Sequence, residues 1–128
     1  MKKLIVFSAV LALVVGGFTA CGPSGQSSDG KPRFAFVTNM PASFWVIAQK
    51  GVEKAGADFN VDTSYHMPTG GPTGQKRVLE DLMTRGVNGI AVSVSDPENQ
   101  TDILDKVAKR TTLVTVDADA PDSERLVY

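Results

Sequence analysis

RFAFVTNMPASFWVIAQKGV, residues 33–52, reads as a strand, a polar loop and a helix. Phe34, Ala35, Phe36 and Val37 form a short, nearly continuous apolar run, the pattern of a strand covered on both faces as in a parallel sheet. The run stops at Thr38 and Asn39. Pro41 cannot donate to a sheet ladder and steers Met40 away from helical geometry, so the chain turns before Ser43, whose hydroxyl suits an N-cap. Phe44, Ile47, Ala48, Gly51, Val52 and Ala55 then fall on one helical stripe, with Gln49, Lys50, Glu53 and Lys54 facing away. Asn39, Phe44 and Trp45 therefore stand at the carboxyl end of a strand and the opening of a helix, the rim where open α/β sheets bind ligands. Trp45 lies about 100° round from Phe44 and is expected to look out over that rim.

Downstream, the same alternation repeats. Asn60 is placed to cap the first helix in the left-handed conformation. Val61, Thr63 and Tyr65 alternate with Asp62, Ser64 and His66, a half-exposed strand suited to a sheet edge. Met67 to Gly74 is a loop, with Thr73 as N-cap of a second helix whose stripe is Val78, Leu79, Leu82 and Met83; Gly86 ends it. Gly89 to Val94 is a buried strand. Asp96 as N-cap, Pro97 at the first helical position and Glu98 in the first turn announce a third helix with Ile103, Leu104, Val107 and Ala108 inward. Thr112 to Val116 is the fourth strand, and Arg125 to Tyr128 opens a fifth. This β-α-β-α-β-α-β order predicts a doubly wound parallel sheet of four complete strands plus the start of a fifth, with helices on both faces.

Working toward the N-terminus, residues 1–20 are an export signal. Lys2 and Lys3 precede an apolar run, Leu4 to Val15, too short to span a bilayer comfortably. The segment ending Phe18-Thr19-Ala20-Cys21 resembles a bacterial lipobox, which implies cleavage before Cys21 and lipid attachment there. Cys21 is the only cysteine, so no internal disulfide can form. Residues 21–32 have the Gly/Ser character of a flexible tether, and residues 33–128 are the folded lobe. Without residues 1–20 the chain has 11 basic and 14 acidic residues, net −3. With no basic stripe, nucleic acid is not an expected partner.

The polar residues recur in one place. Asn39, then Ser93, Ser95 and Asp96, then Asp117 and Asp119, each follow a strand's carboxyl end and converge on one rim. His66 is the only histidine, so neither a His-based triad nor a histidine metal cluster can be assembled. Gly70 to Gly74 lacks phosphate-loop spacing and reads as a structural turn. No enzyme, cofactor or metal is expected. Phe44 and Trp45 beside Asn39 and Asp117 suit a neutral polyol, whose C–H faces pack on rings and whose hydroxyls pair with amide and carboxylate groups. On helical position alone Phe44 also fits a plain core role. Two other readings remain open: the same fold binding a nucleoside or signalling molecule, and an exported flavodoxin-like enzyme or signalling domain with Asp117 and Asp119 around a metal.

Taken together, the leader, FVTNMPASFW, DLMTRGVNGIAVSVSDPE and VTVDAD resemble, in order and spacing, the N-terminal lobe of type I periplasmic sugar-binding proteins, the ribose, xylose and galactose group. The resemblance runs over Arg33 to Tyr128. It implies an extracytoplasmic solute-binding component of an ABC importer, lipid-anchored through Cys21, that captures a monosaccharide for permease subunits. It further implies that Asn39, Phe44 and Trp45 match the first-loop ligand residues and that Asp117 holds ring hydroxyls; Ser95 and Asp96 join the expected ligand set by their place on the rim. Ala118 stands where many ribose binders carry an arginine. Members of this group have a second lobe, absent from these 128 residues, so the chain is expected to be a fragment that binds sugar weakly or not at all by itself.

Overall fold

The computed structural model describes residues 30–128. The export signal, Cys21 and most of the tether expected from the sequence lie outside the described residues. Seven elements follow in order: β1 (Arg33–Val37), α1 (Trp45–Phe59), β2 (Asp62–His66), α2 (Gly71–Arg85), β3 (Gly89–Val92), α3 (Thr101–Ala108) and β4 (Thr112–Thr115). All strand pairings are parallel and the sheet order is β2-β1-β3-β4. The half-polar strand β2 therefore lies at an edge, as its alternation predicts. Val37 sits opposite both His66 and Val92, and Val92 opposite Thr115, so the strands end nearly level. Val127 bridges Val114 in parallel, and the Leu126 N–H donates to the Leu113 carbonyl, the start of a fifth strand outside β4.

Alternation along β1 sorts the two faces of the sheet. Ala35 and Val37 point to the side carrying Ile90, Val92 and Leu113, and there α2 supplies Leu79 and Leu82 and α3 supplies Leu104 and Val107. Each fully buried valine, leucine or isoleucine side chain among these contributes roughly 1.5–3 kcal/mol of transfer free energy. Phe34 and Phe36 point to the opposite side, where Trp45 of α1 meets Phe36 edge-to-face at 5.8 Å and Tyr65 stacks on it at 6.2 Å. Only part of this second face is covered. A shallow apolar groove of about 260 Å³ runs over Phe34, Gly89, Ala91, Thr112 and Val114.

The phase of α1 differs from the stripe read in the sequence. Ile47 is 80% exposed and Phe44 56% exposed, whereas Trp45 is 4% exposed. The inward line passes through buried Trp45 and half-buried Ala48, Val52 and Ala55, with the indole packed edge-to-face on Phe36, whose other neighbour is Tyr65. Ser43 does not cap the helix; Phe44 occupies that position with no side-chain cap. At its far end Asn60 is left-handed, φ 53°, and returns its N–H to the Gly56 carbonyl, as expected.

Helix starts also shift. Thr73 lies inside α2, not at its cap: Gly70 takes that place at φ 87°, and Pro72 fits the first turn, where its missing N–H is no loss. Gly86 ends α2 in the left-handed conformation. Helix α3 begins at Thr101, five residues after Asp96, because the Asp96 carboxylate accepts the Asn99 side-chain amide in a preceding turn.

Candidate ligand site at the strand ends

Immediately beyond β1, β3 and β4 the chain turns polar, and the parallel register delivers these turns side by side. Asp117 adopts a left-handed conformation, φ 63°, that a carboxylate or amide side chain tolerates better than most. Its Oδ2 accepts the Ser93 hydroxyl at 2.8 Å and lies 3.5 Å from the Asn39 side-chain nitrogen, a weak contact. The Tyr128 hydroxyl donates to the Asp117 carbonyl at 3.1 Å, tying the last residue to this turn. Asn39 and Asp117, 78 residues apart in sequence, are thus neighbours, as the rim reading requires.

Ser95 joins the group by a different route. Its hydroxyl donates to the Asn39 carbonyl at 2.6 Å, so it braces the first loop and is itself part-buried. Asp96 is occupied locally: its N–H donates to Gln100 Oε1 at 2.9 Å and its carboxylate faces Asn99. The structure therefore brings Asn39, Ser93, Ser95 and Asp117 together, while the Asp96 carboxylate serves its own turn.

The aromatic pair exchanges roles relative to the sequence expectation. Trp45 does not look out over the rim; its indole is enclosed, with Phe36 on one side and Phe44 at 4.4 Å on the other. Phe44 is the exposed ring, backed by the indole. This corrects both the outward Trp45 and the core Phe44. An exposed ring held by a second ring offers a firm apolar surface at the opening of α1.

Asp119, the second carboxylate of the VTVDAD segment, does other work. Its oxygens accept the Thr115 hydroxyl at 2.6 Å, the Ala120 N–H at 2.8 Å and Arg125 Nη2 at 2.8 Å. Desolvation raises its pKa, but these hydrogen bonds and the Arg125 charge outweigh it and hold the carboxyl below the usual range. Asp119 thus organises the turn after β4. Among the described residues no cluster of three or more His, Cys, Asp or Glu is placed to hold a metal ion.

Two residues were missed in the sequence, both glutamines. Gln75 is completely buried; its Nε2 donates to the carbonyls of Thr38 at 2.9 Å and Ser93 at 2.7 Å, and its Oε1 accepts the Ser95 N–H at 3.0 Å. Gln100 is 4% exposed and links Asp96 to the Pro72 carbonyl at 3.3 Å. A signal existed for Gln75: it stands in phase with Leu79 and Leu82 on the inward stripe of α2, where a polar residue requires partners.

His66 closes β2 at the same end of the sheet. Its Nε2 lies 3.0 Å from the Ser64 hydroxyl, and burial, then the Arg85 charge, lower its pKa against a smaller opposing influence from Asp81.

The family model described as periplasmic binding protein domain matches residues 34–128. Several solved structures are similar. One is the solute-binding protein of an ABC transporter from Burkholderia graminis in complex with D-arabinose, 26% identical, TM-score 0.70, covering 73% of this chain and 33% of that one. A sugar-binding protein of a sugar ABC transporter from Bacillus halodurans is 28% identical, TM-score 0.67, over 74% of this chain and 33% of its own. An arabinose-binding protein from Geobacillus stearothermophilus is 28% identical, TM-score 0.69, over 74% and 34%. This chain spans about a third of the length of each.

Proposed function

Because the chain belongs to the periplasmic binding protein domain family, we propose that its strand-end rim captures a monosaccharide outside the cytoplasm and presents it to an ABC importer. The family is one of binding proteins, in line with the non-enzymatic expectation, and membership implies an exported chain. The observation that carries the ligand reading is the adjacency of Asn39, Ser93 and Asp117, with exposed Phe44 at the helix opening beyond the same strand as Asn39. A carboxylate oxygen and an amide satisfy the donor and acceptor sides of vicinal hydroxyls, and a ring face takes the C–H side. The sugar class is supported by the three similar structures, two of them sugar-binding proteins and one a solute-binding protein in complex with D-arabinose.

No covalent step is involved. The proposed mechanism is hydrogen bonding from Asn39 and Asp117, apolar contact from Phe44 and bracing by Ser95. The rim is open to solvent, so a sugar resting on it is buried on one side only and is held weakly by these residues. Lipidation at Cys21 would keep the binder beside the permease, a proposal that rests on the leader sequence. Titrating the isotopically labelled chain with pentoses and hexoses and following backbone amide shifts tests the ligand reading. Shifts confined to residues 38–45, 93–96 and 117–119 are expected; a response to nucleosides alone, or none to any sugar, overturns it.

A further inference from the structure

We propose that Gln75 is the positioning residue of this site: its buried carboxamide fixes the distance between the ends of β1 and β3, and with it the placing of Asn39, Ser93 and Ser95. The inference rests on the ligand reading of the rim. Strand pairing between β1 and β3 stops at Val37 and Val92. Just past that point, the Gln75 Nε2 group bridges the Thr38 and Ser93 carbonyls, and Oε1 receives the Ser95 N–H. These three partners lie 37, 18 and 20 residues away in sequence. Each is a candidate ligand residue or stands next to one.

A packing role alone would be filled by another leucine in the stripe of Leu79 and Leu82. Instead a carboxamide sits where no solvent reaches, with both ends used. Leaving the two strand-end carbonyls and the Ser95 amide without partners would carry the desolvation cost of each. The side chain reaches the backbone behind the site while the hydroxyls of Ser93 and Ser95 stay free to meet Asp117 and the Asn39 carbonyl. Thus α2, which contributes no ligand group, sets the geometry of those that do.

The replacements Gln75→Glu and Gln75→Met separate this role from stability. In the glutamate variant at pH above about 7 an ionised oxygen faces two carbonyls; on protonation it regains one donor, and burial raises the pH at which that occurs. We expect Ser95 amide exchange to rise on the order of tenfold at neutral pH in both variants. Sugar-induced shifts at Asn39, Ser93 and Asp117 should be lost in both, while methyl signals of Leu104 and Leu113 stay in place. On acidification toward pH 5.5 the glutamate variant recovers and the methionine variant does not; wild type over the same range is the control. Wild-type sugar shifts in the methionine variant overturn the proposal. So does a glutamate variant that remains unfolded on acidification, which assigns Gln75 to stability alone. If wild type shows no sugar shifts, the sugar reading fails, and Ser95 exchange with the Asn39 side-chain signals still decides the positioning role.

Discussion

The Ser93 hydroxyl donates to Asp117 Oδ2 at 2.8 Å, joining the ends of β3 and β4 and directing the carboxylate toward Asn39. A charge-assisted bond of this kind contributes about 1.5–3 kcal/mol and holds Asp117 ready for a neutral ligand. Asp117→Asn keeps a side chain that tolerates the left-handed backbone. The variant is expected to retain the wild-type melting temperature within a few degrees and to bind sugar at least about tenfold more weakly. Calorimetric melting and shift titration, run in parallel, check both halves.

Phe44 and Trp45 are adjacent in sequence and opposite in consequence. Trp45→Ala removes a ring enclosed by Phe36 and Phe44 and should destabilise the fold by about 3–5 kcal/mol. Phe44→Ala should cost under about 1 kcal/mol of stability and weaken sugar binding by about 1 kcal/mol. Urea unfolding followed by circular dichroism gives the first quantity, and titration the second. Equal stability losses would contradict the exchanged roles.

Burial and the Arg85 charge lower the pKa of His66, so the folded chain resists protonating it. The unfolded chain then binds the proton more readily. Stability is complete above the ordinary histidine value of about 6.5 and declines as the pH falls through it. His66→Gln should flatten that part of the stability–pH curve, measured as urea midpoints between pH 8 and 5. An unchanged slope would mean that the acid sensitivity comes from elsewhere.

Gly74 in the first turn of α2 has no room for a side chain: a Cβ there would fall against the Thr69 carbonyl. Gly74→Ala should cost about 2–3 kcal/mol by displacing the loop that leads into α2. Alanine at Gly51, where a Cβ meets open space, should be neutral or slightly stabilising in the middle of α1. Paired denaturation curves test the contrast.

The succession of elements, the parallel sheet, the edge position of β2 and the convergence of Asn39 with Asp117 were legible because each depends on local pattern and parallel crossovers; the order of strands across the sheet was not read. Nor was the phase of α1. Stripes through Phe44 and Ile47 or through Trp45, Ala48 and Val52 are both apolar, and Phe36, supplied by β1, chooses between them by receiving the Trp45 ring. Helix boundaries moved where side chains found nearer partners, as Asp96 did in Asn99. The glutamines were hidden for a related reason. Nothing near Gln75 in sequence reveals that carbonyls at Thr38 and Ser93 will meet it, since only the folded sheet places two strand ends within reach of one amide.

Trp45 is the chain's only tryptophan, and it lies behind the ring that faces solvent. The protein therefore carries its own optical gauge: an occupant resting on Phe44 changes the surroundings of a single shielded fluorophore without touching it. Emission wavelength can then register occupancy in the unlabelled chain.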